Sequence, residues 1–388
     1  MPFANRTVHL KPEGAYQVLA RANQLEAAGK EIIHFEIGQP DYPTFENISQ
    51  AGIDAIRSGK TRYTPPAGMP SLRETLAEDA GRRRGIEVHP EEVVVSPGGK
   101  PNLFFPTLAL VEPGDEVIYP NPGFPTYEAM IKVAGGVPVP VPLLEANQFS
   151  FDLDIFDKLI NAKTRMIILN SPSNPTGGVI PAVDLEYIAA KADEFDSWVM
   201  TDELYTRIVY DGLEAPSIAS LPGMRDRTII VDGFSKTYSM TGWRLGYGIM
   251  PKSLAARVDL LLTHSVGSTA HFTQFAGLEA ITGPQDRVDE MVAEYQRRRD
   301  AIVAGLNAIP GFTCQKPQGA FYVFPNITGT GMSSTDLANL ILEKAGVALL
   351  PGNSFGEYGE GYLRLSYANS IENILSGLEH IGAAIQEV

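Results

Sequence analysis

The chain has 388 residues, 44% of them hydrophobic, which is enough for a full core and for two domains or one large and one small. A net charge of −15 argues against a surface built for nucleic acid, and the single cysteine, Cys314, excludes an intrachain disulfide. No run of about 18 apolar residues is present for a membrane crossing, and Met1 to Arg6 lack the apolar core of a signal peptide, so the sequence predicts a cytoplasmic protein.

In chain order, Glu92 to Val95, Glu116 to Tyr119, Met166 to Leu169, Trp198 to Met200 and Thr228 to Val231 are short, continuous apolar runs rich in β-branched residues. Such runs suit strands buried on both faces of a mostly parallel sheet. Helical stretches lie between them, among them 182–195, opened by Pro181, a residue suited to a first helical turn. The alternation predicts an α/β fold with a large doubly wound sheet, its ligand beyond the carboxyl ends of the strands. Near residue 285 a long polar helix begins, followed by Gly319 to Phe324, a helix near 334–345 and a strand at 362–366, which predicts a smaller α+β domain. Two arginine runs, Arg82-Arg83-Arg84 and Arg297-Arg298-Arg299, read as solvated helix faces. His264 and His271 are seven apart on a possible helix and could share a face, but nothing around them completes a metal site, and no metal is expected.

The positions just after the strands carry the chemistry. Ser96-Pro97-Gly98-Gly99-Lys100 pairs two glycines, which let backbone approach a phosphate, with a helix that would aim N–H groups and a positive dipole at it. Asn121 to Tyr127 contains Phe124, and Asn170 to Gly177 contains Asn174 among turn formers that alone would make a plain loop. In Thr201-Asp202-Glu203-Leu204-Tyr205 a carboxylate stands at a buried strand end, costly unless it meets a cation, although Asp202 could instead cap a helix. Gly233 to Gly246, reading Gly-Phe-Ser-Lys-Thr-Tyr-Ser-Met-Thr-Gly-Trp-Arg-Leu-Gly, places Lys236 and Arg244 eight residues apart. An amine that can form a Schiff base and a cation that can grip a phosphate are what pyridoxal phosphate, an aldehyde carrying a phosphate ester, needs from a protein. Arg364, between leucines in Tyr-Leu-Arg-Leu-Ser, either snorkels to solvent or is aimed at a partner in a cleft. Its planar guanidinium can hold an α-carboxylate through two parallel hydrogen bonds.

Residues 233–246 resemble the lysine motif of the class I aminotransferases, of the aspartate aminotransferase-like fold type I, and the other motifs follow in the family's order over nearly the whole chain. The resemblance implies pyridoxal phosphate attached to Lys236, with Asp202 on the pyridine nitrogen, Phe124 on the ring face, Asn174 and Tyr205 on the phenolic oxygen, and Gly98, Gly99, Lys100, Ser235 and Arg244 around the phosphate. It assigns catalysis to Lys236, Tyr205 and Asp202, and substrate binding to Gly38, within Phe35 to Asp41, and to Asn174 and Arg364. Tyr63, in Thr61 to Gly68, resembles the tyrosine that reaches the phosphate of the neighbouring subunit, which implies a homodimer with shared sites. The N-terminal segment is expected to complete the small domain, giving a large domain over 46–284 and a small one over 1–45 with 285–388. The implied reaction moves an amino group from an L-amino acid to a 2-keto acid by a ping-pong route through a Schiff base at Lys236; a lyase or oxidase on the same scaffold is the alternative.

Two departures from the family pattern stand out. Gly233 occupies the position three before the lysine where many relatives carry a phosphate-binding serine, leaving Ser235 as a substitute, and Phe124 stands where a tryptophan is usual. With the apolar stretch Pro101 to Thr107, which offers no cation for a distal carboxylate, Phe124 leads to the expectation that neutral donors are preferred over aspartate.

Overall fold

The computed structural model describes residues 3–8, 10 and 12–386. Helix α1 (Gly14–Ala27), strand β1 (Ile33–His34) and helices α2 (Glu46–Arg57) and α3 (Pro70–Arg84) lead into β2 (Val93–Ser96). Then come α4 (Lys100–Leu110), β3 (Glu116–Asn121), α5 (Thr126–Ala134), β4 (Val137–Pro142), β5 (Thr164–Asn170), α6 (Ala182–Glu194), β6 (Trp198–Asp202), β7 (Thr228–Gly233) and β8 (Gly246–Ile249). These strands form one sheet in the order β2-β8-β7-β6-β5-β3-β4. Every neighbouring pair is parallel except the two that β8 makes.

That order fixes where a ligand can sit. From β3 the chain adds β4 on one side and β5 on the other, so the connections diverge and leave a crevice at the carboxyl ends of the strands. Ser96, Asn121, Asn170, Asp202 and Gly233 close their strands at that edge. Because β7 ends there and antiparallel β8 begins there, residues 234–245, with Lys236 and Arg244, are held above it.

All five apolar runs became strands of the sheet, whereas β4 and β8 carry no such run. Strand β4 reads Val-Pro-Val-Pro-Val-Pro and lies at the sheet edge, the place where missing N–H donors are tolerated. Strand β8 contains Gly246 and Gly248; a Cβ on Gly246 would strike the backbone of Gly98 and Gly99, so the glycine permits β8 to pass against the turn after β2. The sheet is apolar on both faces: Val94 joins a cluster with Met130, Ile168 and Val258, while Val93 and Val95 join another with Leu72, Leu76 and Tyr247. Each such side chain contributes about 1.5–3 kcal/mol by leaving water.

After α7 (Lys252–Thr263) and α8 (His271–Thr282), the remaining elements are α9 (Asp286–Asn307), β9 (Tyr322–Val323), α10 (Ser334–Leu340), β10 (Val347–Ala348), β11 (Leu350–Pro351), β12 (Leu363–Ser366) and α11 (Ile371–Gln386). Strand β12 pairs antiparallel with β11 and β9, and β10 pairs in parallel with β1, which ties the N-terminal segment to the C-terminal elements. His264 caps α7 and His271 opens α8, so the two histidines do not share one helix; the His271 ring packs on Phe275 at 5.4 Å. No cluster of His, Cys, Asp and Glu suited to a metal occurs among the described residues.

The arginine runs are not solvated faces. Arg82 is exposed, but Arg84 is buried between Glu203 at 2.7 Å and Asp232 at 2.9 Å, and Arg83 bridges Asp79, Asp232 and the Tyr247 hydroxyl. In the second run Arg297 points outward, Arg298 reaches Asp41 and Glu294, and Arg299, with a fully buried side chain, lies between Asp211 and Asp300. Consecutive helical residues turn by about 100°, so three in a row cannot all face water on a packed helix. Those turned inward are stable because carboxylates from distant segments meet them.

Candidate active site

The strand ends open into one cleft of about 610 Å³. Gly99, Lys100, Phe124, Asn174, Asp202, Tyr205, Ser235, Lys236 and Arg244 line it from the large sheet, Gly38 from the N-terminal segment, and Tyr322 and Arg364 from β9 and β12. Tyr127, Asn170, Glu13, Tyr16 and Leu19, none of them expected there from sequence, line it as well.

Asp202 forms the floor. It ends β6, buried, and accepts a hydrogen bond from the Tyr127 hydroxyl at 2.8 Å and a longer one from Leu204 N at 3.4 Å. Burial pushes its carboxyl up to about 6, against the pull of those two hydrogen bonds, and the nearby Asp232 and Glu203 push the same way as burial. No helix follows Asp202, so the helix-cap reading does not hold. Its backbone is fixed from β5, where Asn170 Nδ2 donates to the Asp202 carbonyl at 3.0 Å and Asn170 Oδ1 accepts from Asn174 N at 2.8 Å.

Lys236 stands above this floor, on a loop anchored by the buried Phe234 and Met240. Its Nζ donates to the Gly38 carbonyl and lies 5.8 Å from the centre of the Phe321 ring. Burial, then the charges of Arg364 and Arg244, lower its pKa to about 8, with Asp202 acting in the opposite sense.

Arg244 adopts a left-handed backbone, φ 53°, donates from Nη1 to the Thr241 carbonyl at 2.9 Å, and has no carboxylate partner among the described residues. Its Nη2 occupies the space that a side chain on Gly98 would fill, and Gly98 itself has φ 86°. Gly98 thus provides both a backbone conformation and a clearance that another residue would deny. Gly233 faces Gly246 across the β7–β8 ladder and does not line the cleft; on the loop that follows, Ser235 and Thr241 do.

Arg364 enters from β12. It is 3% exposed, donates from Nη2 to the Glu36 carbonyl, and stacks over Tyr322 at 4.7 Å and Phe355 at 5.3 Å. Its Nε is buried without a partner, and no carboxylate lies within ion-pair distance among the described residues. Burial lowers its pKa from the ordinary arginine value. The Tyr205 hydroxyl meets the Tyr322 hydroxyl at 2.7 Å, and Asn174 Oδ1 is buried and unpartnered.

At the mouth, Lys100 turns to Glu13, with its ammonium 5.2 Å from the centre of the Phe124 ring. Pro101 to Thr107 carry no cation, as read from sequence, but Lys100 just before them lines the cleft and is already paired with Glu13. Tyr63 is not in the cleft; it is 98% exposed.

A family model described as aminotransferase class I and II matches residues 30–381. The chain belongs to that family. A probable aspartate/prephenate aminotransferase of Aquifex aeolicus is 40% identical over 100% of this chain and 99% of its own length. An aromatic-amino-acid aminotransferase of Thermococcus litoralis is 36% identical over 100% and 99%. Among solved structures, aspartate aminotransferase from Thermus thermophilus with maleate superimposes with a TM-score of 0.95 at 37% identity, covering 99% of this chain and 100% of that one. The chain is a fold type I, pyridoxal-phosphate-dependent aminotransferase.

The residues present fit that cofactor. A buried carboxylate and an arginine over a glycine turn, neither in an ion pair among the described residues, and a lysine with a lowered pKa offer the three attachments its ring nitrogen, phosphate and aldehyde require. The unpartnered Asn174 Oδ1 and Arg364 Nε leave polar capacity inside the same cleft.

Proposed function

We propose that Lys236 carries the cofactor and moves the reacting proton, that Asp202 holds the ring nitrogen, and that Arg364 clamps the α-carboxylate of an L-amino acid or a 2-keto acid. Pyridoxal phosphate, when bound, supplies an aldehyde carbon that takes up an amino group and a ring that withdraws electrons from the substrate Cα. Arg244, Ser235 and the backbone at Gly98 and Gly99 hold the phosphate at the start of α4. Phe124 would cover the ring, and Asn174 and Tyr205 would hold its phenolic oxygen. With its pKa near 8, Lys236 is partly neutral at neutral pH, as a nucleophile and base must be. Its amine would be the group that takes up and moves the proton of the substrate Cα. Asp202, ionised once it faces a cation, favours that transfer electrostatically. The reading rests above all on Arg364, a buried guanidinium without a counterion, beside an amine with a lowered pKa.

For the donor, we propose a preference for neutral side chains, because Glu13 already engages Lys100, a cation of the cleft wall. A dicarboxylate donor is the second reading, favoured by the same Lys100 and by the aspartate aminotransferases among the relatives. Mixing the holoenzyme with one donor and no acceptor should convert the cofactor stoichiometrically to its amine form and then stall until a keto acid is added. Continuous ammonia release would point to a lyase or oxidase. Neutral donors should exceed aspartate in kcat/KM, and Glu13→Gln should narrow the gap; aspartate leading in the unaltered protein establishes the second reading.

We further propose a cytoplasmic homodimer in which the exposed Tyr63 reaches the partner's phosphate site, checked by sedimentation and by loosened cofactor binding in Tyr63→Phe. The division into a large domain, 46–284, and a small one, 1–45 with 285–388, is supported by the pairing of β1 with β10. No helix among the described residues is long and apolar enough to cross a membrane.

A further inference from the structure

The roles above leave Tyr322 unused, yet it touches three groups of the cleft. It is buried, and its hydroxyl has one hydrogen-bond partner among the described residues, the Tyr205 hydroxyl at 2.7 Å. The Arg364 guanidinium lies over its ring at 4.7 Å. A side chain on Gly38 would collide with its hydroxyl, so that glycine leaves the phenol its place.

Two phenols that share one hydrogen bond have two protons between them, and one proton remains free to point elsewhere. A cation on the face of Tyr322 stabilises negative charge on that phenol, which makes Tyr322 the better donor of the pair. Tyr205 then accepts, and its own proton is directed away from Tyr322. A phenol that accepts one hydrogen bond donates a stronger one.

We propose that Tyr322 is a positioning residue that donates to Tyr205 and so turns the Tyr205 proton toward the phenolic oxygen of the cofactor. The proposal rests on the reading of Tyr205 given above, and the test separates the two. Donation from Tyr205 draws negative charge off the phenolic oxygen, so the neighbouring lysine nitrogen gives up its proton at lower pH. The readout is the pH midpoint of the holoenzyme's visible absorption, which requires no turnover.

Tyr322→Phe keeps the ring beneath Arg364 and should raise that midpoint by roughly half a unit to one unit, the worth of one hydrogen bond. Tyr205→Phe should raise it further, and adding Tyr322→Phe to Tyr205→Phe should change nothing more. Gly38→Ala, which displaces the Tyr322 hydroxyl without altering either tyrosine, should also raise it and serves if Tyr322→Phe does not fold. A midpoint that rises in Tyr205→Phe but stays fixed in Tyr322→Phe and Gly38→Ala overturns the role of Tyr322 alone. A midpoint unmoved in Tyr205→Phe overturns the reading beneath it, and equal shifts from Tyr322→Phe with and without the Tyr205 hydroxyl overturn the coupling.

Discussion

Arg84, at the end of α3, and Arg364, in the cleft, are comparably buried, but their surroundings are opposite. Arg84 lies between Glu203 and Asp232, and Arg299 likewise lies between Asp211 and Asp300. Arg364 meets a backbone carbonyl and two aromatic rings, with Nε left over. A buried cation is expensive unless an anion accompanies it. Where the protein supplies the anion, the arginine holds elements together; where it does not, the deficit matches a ligand that brings its own carboxylate. Arg244 is exposed, so that rule does not bear on it; what suits it to a phosphate is its place against the Gly98 turn, with no carboxylate partner among the described residues.

The sharpest way to break this contrast is to remove each cation in turn. Arg84→Met leaves the buried Glu203 without its cation and Asp232 with Arg83 alone, and should cost about 3–5 kcal/mol of unfolding free energy, measured by denaturant titration. Arg364→Met removes a charge that has no partner, so the cofactor-free protein should be as stable as before or more so. The same variant should lose about 2–4 kcal/mol of productive donor binding, read as a fall in kcat/KM of roughly 30- to 1000-fold, with cofactor retention nearly intact. Equal stability losses in the two variants would erase the distinction between them.

Asp202 offers a smaller test, since it is the carboxylate counterpart of Arg364, buried without an opposite charge. Its pKa is raised to about 6, so the cofactor-free protein carries it charged above that pH and neutral below. The cost of burying the charge is fully present above about 6 and is relieved as pH falls toward the ordinary carboxyl range. Cofactor affinity should run the other way, falling by up to about tenfold per unit below the Asp202 midpoint. Equilibrium titration of the cofactor-free protein across that range checks this, and Asp202→Asn should flatten the dependence.

How much of this was legible in the sequence follows from where each interaction originates. The five apolar runs announce strands because burial on both faces leaves only one kind of residue there, and motifs directly after them are carried to one edge by the parallel order. Strands β4 and β8 give no such signal, since prolines and glycines are tolerated only through edge position and contact with the Gly98 turn. Tyr127 and Tyr322 stand inside quoted motifs, but their hydroxyl partners, Asp202 and Tyr205, come from distant segments. Glu13 reaches Lys100 from before α1, and Glu203 and Asp232 for Arg84, and Asp211 for Arg299, are equally remote in sequence, which is why both runs read as solvated. Local pattern reveals an arginine's place on a helix, not the carboxylate that folding brings to it.

The central claim is that the cleft is organised around Lys236 as the carrier of the cofactor. Borohydride reduction of the holoenzyme followed by peptide mapping tests it directly, because the cleft contains a second lysine, Lys100, against which the assignment can fail. The pyridoxyl group should appear on Lys236, within the peptide spanning 233–246. A label on Lys100, or on any other lysine, would contradict the account.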